Sequence, residues 1–327
     1  MSFKQFVLRE EYEKVNGLGD RLDHLKGMID WEQFRPFFAD LFFDDDKTGG
    51  RPHYDEIVMM RVLVLQRLYG LSDQEAEFQI NDRTSFKNFL GFPEDLPDYT
   101  TIWRLKERMH KDGTLDKIWN ELQRQLDAKG LKVKTGVIQD ATFIEADYGK
   151  KRHYKEKKAK KQGTTIEYTD KQKAHMDKDG TFAVKNQEIH FGYKLHQKTD
   201  IDFGLVREFD ITTASTHDSQ VDLTEGDDNA AYRDKGYAGV KPHPNVKDMT
   251  MKKAARNRPL TRQEKKFNKA VAKIRAPGER PFAVMQRVFR GGMTRVKNMA
   301  RVTVEQAMEC LAFNLYQLFT LAKQGKW

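Results

Sequence analysis

The hydrophobic pattern changes period near residue 133. Upstream of it, apolar residues recur at helical spacing. YDEIVMMRVLVLQRLYG (54–70) reads as an amphipathic helix that stops at Gly70. Ser72 then opens SDQE, a capping box with Glu75, and a short helix is expected to about Ile80. Asn81 and Asp82 are candidate caps for a third helix, RTSFKNFLG, ended by Gly91. Three short helices with tight turns fit either a helix-turn-helix module or an ordinary helical bundle. PDYTTIWRLKERM (97–109) follows, with Thr100 or Thr101 as the expected cap, and the helix is expected to run on to Gly130.

Downstream the texture is that of strands. VKTGVIQDATFIEA (133–146) is rich in β-branched residues, and EIHFGYKLHQ (188–197) and DFGLVREFDITTA (202–214) also read as strands. NAAYRDKGYAG (229–239) begins as a fourth strand and turns at Gly236. Three helices follow, at 260–274, 281–292 and 302–323. Between the first two strands, 149–188 has little apolar content and reads as a flexible basic insertion. No internal repeat is present. The expected organisation is an all-helical N-terminal domain, 1–130, and a mixed α/β (α+β) domain, 131–327, whose mixed sheet is flanked by helices.

Composition narrows the class. The 327 residues carry a net charge of +9, with 38% hydrophobic and 33% charged residues. The distribution says more than the total. Residues 251–327 hold 18 Lys and Arg against 4 Asp and Glu, and GKKRHYKEKKAKKQG (149–163) forms a second basic run. Either run alone fits a solvated face, but two of them around strands that bear acids point to nucleic acid. Cys310 is the only cysteine, which excludes an internal disulfide framework and a multi-cysteine zinc module. No stretch approaches the roughly 18 consecutive apolar residues of a membrane span. The start, MSFKQFVLREEYEKV, lacks a signal-peptide apolar region, so a cytoplasmic setting and no membrane partner are expected.

Asp140 stands in the middle of an apolar strand, where an unpaired carboxylate is costly unless partnered or bound to a cation. Asp234 lies at a strand end in YRDKGYAG, and Glu279 near a helix start in RAPGERPF. Three carboxylates on separate elements can converge on a pair of divalent cations, which oxygen ligands suit. Taken singly, each acid also fits a cap, a turn or an ion pair. Glu145, Asp147, Asp210, Asp218, Asp227 and Asp228 compete for the same role. His190, Lys194 and His196 alternate on one strand and share a face, able to touch DNA phosphate or to pack. His217 with Asp218 reads as a turn, Tyr237 as a core or stacking residue, and Trp103 with Arg104 as a packed or DNA-facing pair.

VIQDATFIEA, HFGYKLH, DKGYAG and IRAPGERPFAVMQRVFR, in that order, resemble the catalytic domain of DDE transposases of bacterial insertion sequences, closest to the insertion-sequence-five group. DRTSFKNFLGF, LPDYTTIWRLKERM and the tail RVKNMARVTVEQAMECLAFNLYQL are similar to that family too, so the resemblance covers roughly residues 50–320. It implies a ribonuclease-H-like fold and a catalytic and metal-binding triad of Asp140, Asp234 and Glu279. It implies Mg²⁺, with Mn²⁺ as a substitute, and no organic cofactor. The implied partners are the DNA of the element ends and of the target, with self-association to a dimer in the synaptic complex and a place on the bacterial nucleoid. The family's glutamate signature is Tyr, two residues, Arg, three residues, Glu, six residues, Lys. Here Arg275 and Glu279 fit it, while Ala272 and Gln286 depart from it. The expected DNA contacts are Arg275, Gln286, Arg287 and Arg290, with Lys150, Lys151 and Arg152 on the basic arm and Lys194 in the cleft. The alternatives are a decayed or domesticated DNA-binding relic and a purely hydrolytic nuclease.

Overall fold

A computed structural model describes residues 3–42, 53–110 and 113–327. Its N-terminal part is helical: α1 (Phe3–Asn16), α2 (Arg21–Gly27), α3 (Arg35–Phe42), α4 (Glu56–Tyr69), α5 (Asp73–Asp82), α6 (Thr84–Leu90), α7 (Tyr99–Met109) and α8 (Thr114–Ala128). Local chemistry sets most of these ends. The Asp55 side chain accepts from the Ile57 and Val58 amides to start α4, and Gly70 ends it in the left-handed region, at φ 60°. Ser72 caps α5 through the Glu75 amide, but the Glu75 carboxylate accepts from Gln79, so the expected box is not reciprocal. Asn81 and Asp82 are not caps of α6; they belong to α5, and Arg83 holds the α6 cap position without a side-chain bond. Asp98, rather than Thr100 or Thr101, caps α7 by accepting from the Thr101 amide at 2.7 Å. The single helix expected to reach Gly130 is two, with Gly113 at φ 64° ahead of α8. Helix α6 packs against α1, α2, α4 and α5, and Phe86, Asn88, Phe89 and Leu90 are buried. Thr84, Ser85 and Lys87 stay half-buried on its remaining face.

The sheet contains β1 (Val137–Ala146), β2 (Thr181–Lys185), β3 (Glu188–Asp200), β4 (Val206–Thr213), β5 (Ala230–Arg233), β6 (Lys247–Asp248) and β7 (Met293–Thr294). Strand β1 runs antiparallel to β3, with Val137 opposite Asp200 and Glu145 opposite Gly192, and β4 extends β3 on its far side, also antiparallel. On the other edge β5 pairs parallel with β1 and β6 parallel with β5. The fold is therefore mixed α/β with a mixed sheet, as expected. Between β1 and β3 lie α9 (Lys150–Gln162) and α10 (Asp170–Ala174), and beyond the sheet strands lie α11 (Arg262–Arg275), α12 (Glu279–Arg287) and α13 (Met299–Lys323).

The segment expected to be a flexible basic insertion carries secondary structure. Glu156 of α9 accepts from Arg152 and Tyr168, both at 2.9 Å, and from Tyr148. Strand β2 forms a hairpin with β3 through Asn186 and Gln187, both at positive φ, a two-residue turn. Helix α13 binds the halves together. It packs on α4 and on β4, and one continuous apolar core runs from Leu22 through Val62 and Leu195 to Leu318. Its buried Asn314 accepts from the Val206 amide and donates to the Val206 carbonyl, both at 2.8 Å, which fixes the helix against the start of β4 while leaving no amide unsatisfied.

Candidate active site

Residues alternate faces along a strand, so Ile138, Asp140 and Thr142 share one face of β1. Helix α12 lies across that face. At its start, a Cβ on Gly278 would come within 2.6 Å of Ile138 Cγ2, so the backbone there rests directly on the strand. Near its end, the Gln286 amide donates to Thr142 Oγ1 at 3.2 Å. Asp140 lies between these two contacts, and Glu279 is the first residue of the helix that spans them.

The Asp140 carboxylate is largely enclosed. It accepts from Arg275 at 2.7 Å and from the Ala141 amide at 2.9 Å. Burial raises its pKa, the Arg275 guanidinium opposes the rise, and the nearby charge of Asp234 adds to it. Asp234 arrives from the neighbouring strand. The β1–β5 register ends at Gln139 opposite Arg233, so the next step along both strands sets Asp140 beside Asp234, at a strand spacing of about 4.8 Å. Asp234 then caps the turn Lys235–Tyr237, accepting from the Gly236 amide at 2.6 Å.

Tyr237 is fully buried beneath the two acids, and its hydroxyl has no hydrogen-bond partner among the described residues. Burial, then the charges of Asp218, Asp140 and Asp234, push its phenol pKa up. Asp218 is itself held by Lys194 at 2.8 Å. The His-Asp step of THDS is thus more than a turn: its aspartate reaches the edge of this acidic centre. Tyr237 and the Lys194–Asp218 pair are parts of the site that residue patterns alone undervalue, because their partners lie on other strands.

Among the described residues no three His, Cys, Asp or Glu side chains are gathered into a ready cation cage. Asp140 and Asp234 are adjacent, while Glu279 is exposed on the helix above them. The donors are all carboxylate oxygens, which suit a hard divalent cation, and the Asp140 carboxylate already holds a cationic group in the form of Arg275.

The expected DNA contacts fall into three groups. Arg275 is committed to Asp140, and Arg152 to Glu156 with its guanidinium 4.2 Å from the Tyr148 ring centre. Lys194 is buried and donates to the Thr216 carbonyl at 2.6 Å as well as to Asp218 at 2.8 Å, so it is held in an internal ion pair. Gln286 is exposed and bonded to Thr142, and Arg287 and Arg290 are exposed with no partner among the described residues. The side chains of Lys150 and Lys151 lie outside what the structure describes.

Fold and site define a mixed α/β protein with an oxygen-only acidic centre at the junction of two parallel strands. The chain belongs to the DDE transposase family: residues 131–315 match the model described as Transposase DDE domain, and residues 9–108 match Transposase domain (DUF772). It is similar to the transposase for insertion sequence element IS1106 of Neisseria meningitidis serogroup B, at 31% identity over 223 residues, 65% of this chain and 75% of that relative. No solved structure matches it. The protein is a transposase, and hence an enzyme. No helix among the described residues is long and apolar enough to cross a membrane.

Proposed function

We propose that the protein cuts the ends of an insertion-sequence element and joins them to target DNA, with Asp140, Asp234 and Glu279 as the catalytic carboxylates. The observation that carries this reading is the placement of Asp140 beside Asp234 on neighbouring strands, with the Glu279 helix packed on the Asp140 face. The strand order supports a ribonuclease-H-like sheet: β4, β3 and β1 alternate in direction, and β5 and β6 continue parallel to β1.

Asp140 and Asp234 would hold divalent cations, with Glu279 completing the set. Mg²⁺, or Mn²⁺ in its place, would supply an activated nucleophile and stabilise the leaving oxygen. Water opens a phosphodiester at each element end and leaves a 3′-hydroxyl. That hydroxyl attacks a target phosphodiester, so one bond forms as another breaks and no covalent enzyme intermediate or organic cofactor is needed. Arg275 must release Asp140 for this arrangement, and its freed guanidinium is then available to a DNA phosphate. Lys194 neutralises Asp218, so once Arg275 releases Asp140 the uncompensated negative charge lies on Asp140 and Asp234. Joining two ends calls for at least two chains in the synaptic complex. The setting is the cytoplasm, on the nucleoid when DNA is bound.

The test is incubation of DNA carrying the element ends with the protein and Mg²⁺, in parallel with Asp234→Asn. Cleaved and joined strands that disappear with the substitution support the reading. Binding without cleavage in Mg²⁺ or Mn²⁺ would indicate a DNA-binding relic. Cleavage that never yields joined strands would indicate a nuclease.

A further inference from the structure

A groove runs from the Thr142 end of β1 to the N-terminal helices. Two clefts of about 290 and 310 Å³ share Arg67, Lys106, Arg295 and Glu305 and form one channel. Its floor is the junction of α4, α5 and α7 with the segment 289–297. At one end Gly291 and Met293 also line an open cleft that contains Thr142 and Gln286, so the channel continues to the β1 face that carries Asp140. At the other end Trp103 stands at the rim.

The wall is built from closed ion pairs. Arg67 meets Glu305 at 2.6 Å, Arg301 meets Glu107 at 2.5 Å, and Lys106 meets Asp73. Lys297 donates to the His175 carbonyl at 2.6 Å, and two further cations remain. Arg290 and Arg295 are exposed and have no hydrogen-bond or ion-pair partner among the described residues. Arg290 also sits at φ 61°, a left-handed backbone that an arginine adopts only when its surroundings impose it. The surroundings are close: a Cβ on Gly70 would lie 3.2 Å from the Arg290 Cβ and 2.5 Å from the Phe289 carbonyl. The α4 terminus is thus pressed against this turn, which holds Arg290 in the channel.

An aromatic stands at the rim: Trp103 is 47% exposed, and Tyr99, one turn earlier on α7, is 44% exposed. Aromatic faces beside unpaired cations are what single-stranded nucleic acid requires: phosphates neutralised in a groove and bases stacked on rings. Clefts of this size match separate nucleotides rather than a duplex.

We propose that this channel takes one unpaired DNA strand leading away from the acidic centre, with Arg290 and Arg295 on its phosphates and Trp103 stacked on a base. The proposal rests on the transposase's action on DNA but not on the assignment of the three carboxylates.

The test uses the full-length protein in EDTA, with a fluorescein-labelled oligothymidine of about 16 nucleotides and a hairpin duplex as probes. Arg290→Gln with Arg295→Gln is expected to weaken single-strand binding at least ~10-fold and to reduce the slope of log affinity against log salt by about 1.4. Trp103→Ala is expected to weaken it by about 5- to 100-fold, while Trp103→Phe retains most of the affinity. Oligothymidine should quench tryptophan emission in the wild type and not in Trp103→Phe. Arg295→Gln alone, on an exposed segment, keeps the test valid if the double variant does not fold; it should lower the slope by about 0.7. Unchanged affinity and slope, or equal losses for the hairpin, would overturn the proposal. Asp234→Asn separates the two readings, because it should bind oligothymidine as the wild type does even though it cleaves nothing. A wild type that does not bind oligothymidine would overturn the channel while leaving cleavage at element ends to its own test.

Discussion

Substituting Gly278 by alanine tests whether contact between α12 and β1 sets the position of Glu279. The backbone does not object, since Gly278 has φ −67° and ψ −16°, an ordinary helical conformation. The obstacle is steric. The new methyl would lie 2.6 Å from Ile138 Cγ2 and 3.3 Å from Ile138 Cβ and Cδ1. Carbon atoms rest about 3.5–4.0 Å apart, so the start of α12 must withdraw by about 1 Å or Ile138 must leave its rotamer. Overpacking of this kind costs about 1–3 kcal/mol. Glu279 is the next residue and moves with the helix, and a displacement of about 1 Å at a reacting centre can cost about 100-fold in rate. The assay pairs strand cleavage at an element end with thermal melting. Gly278→Ala is expected to lose about 100-fold in cleavage with only a modest fall in melting temperature. Ile138→Ala removes the blocking methyl at its own cost of about 2–5 kcal/mol. Combined with Gly278→Ala it should restore part of the cleavage, giving a coupling energy of opposite sign to the losses. Full activity in Gly278→Ala, or a double variant no better than the sum of the single effects, would refute the reasoning.

Arg275→Gln removes the group that now neutralises Asp140. Breaking a fully buried pair costs about 3–5 kcal/mol; here the Asp140 and Arg275 side chains are 24% and 15% exposed, so about 1–2 kcal/mol of metal-free stability should be lost. Mn²⁺ binding measured calorimetrically without DNA should tighten by about 10-fold, and an unchanged affinity would show that Arg275 does not compete for Asp140. Burial pushes the Glu309 carboxyl up to about 7, against the opposing charge of Arg67. Its folded pKa is above its unfolded one, so stability falls as pH rises from about 4.5 to about 7, and Glu309→Gln should gain on the wild type by up to about 3 kcal/mol in urea titrations at pH 8 compared with pH 4.5. His196 has the opposite sign. Burial drives it down to about 4, so the unfolded chain takes up the proton first, and stability is lost as pH falls from about 6.5 to 4; His196→Gln should flatten that acid limb. A variant whose profile parallels the wild type would show that the residue does not titrate as its burial implies.

By itself the sequence determined what near neighbours along the chain decide. Helix α4 and its stop at Gly70, the Ser72 cap and the strands β1, β3, β4 and β5 follow from periodicity and from side chains that bond within a turn. The motif order led to the family, and Asp140, Asp234 and Glu279 stood out as acids at ends or interiors of elements. The short strands β2, β6 and β7 have at most five residues and too little alternation to announce themselves. Helix α9 has a strongly polar sequence with no apolar stripe to mark it, and α6 is enclosed by helices that its own sequence does not specify. Tertiary structure alone decided which charges distant in the chain meet. Arg275 and Asp140 are 135 positions apart and Lys194 and Asp218 are 24 apart, so no spacing rule joins them. Arg290 and Arg295 have no partner among the described residues while Arg275 and Lys194 are taken, although all four are basic residues in the same composition. Ion pairing depends on distance and burial through space, and those quantities exist only after β1, β3 and β5 have aligned and α12 and α13 have packed on them.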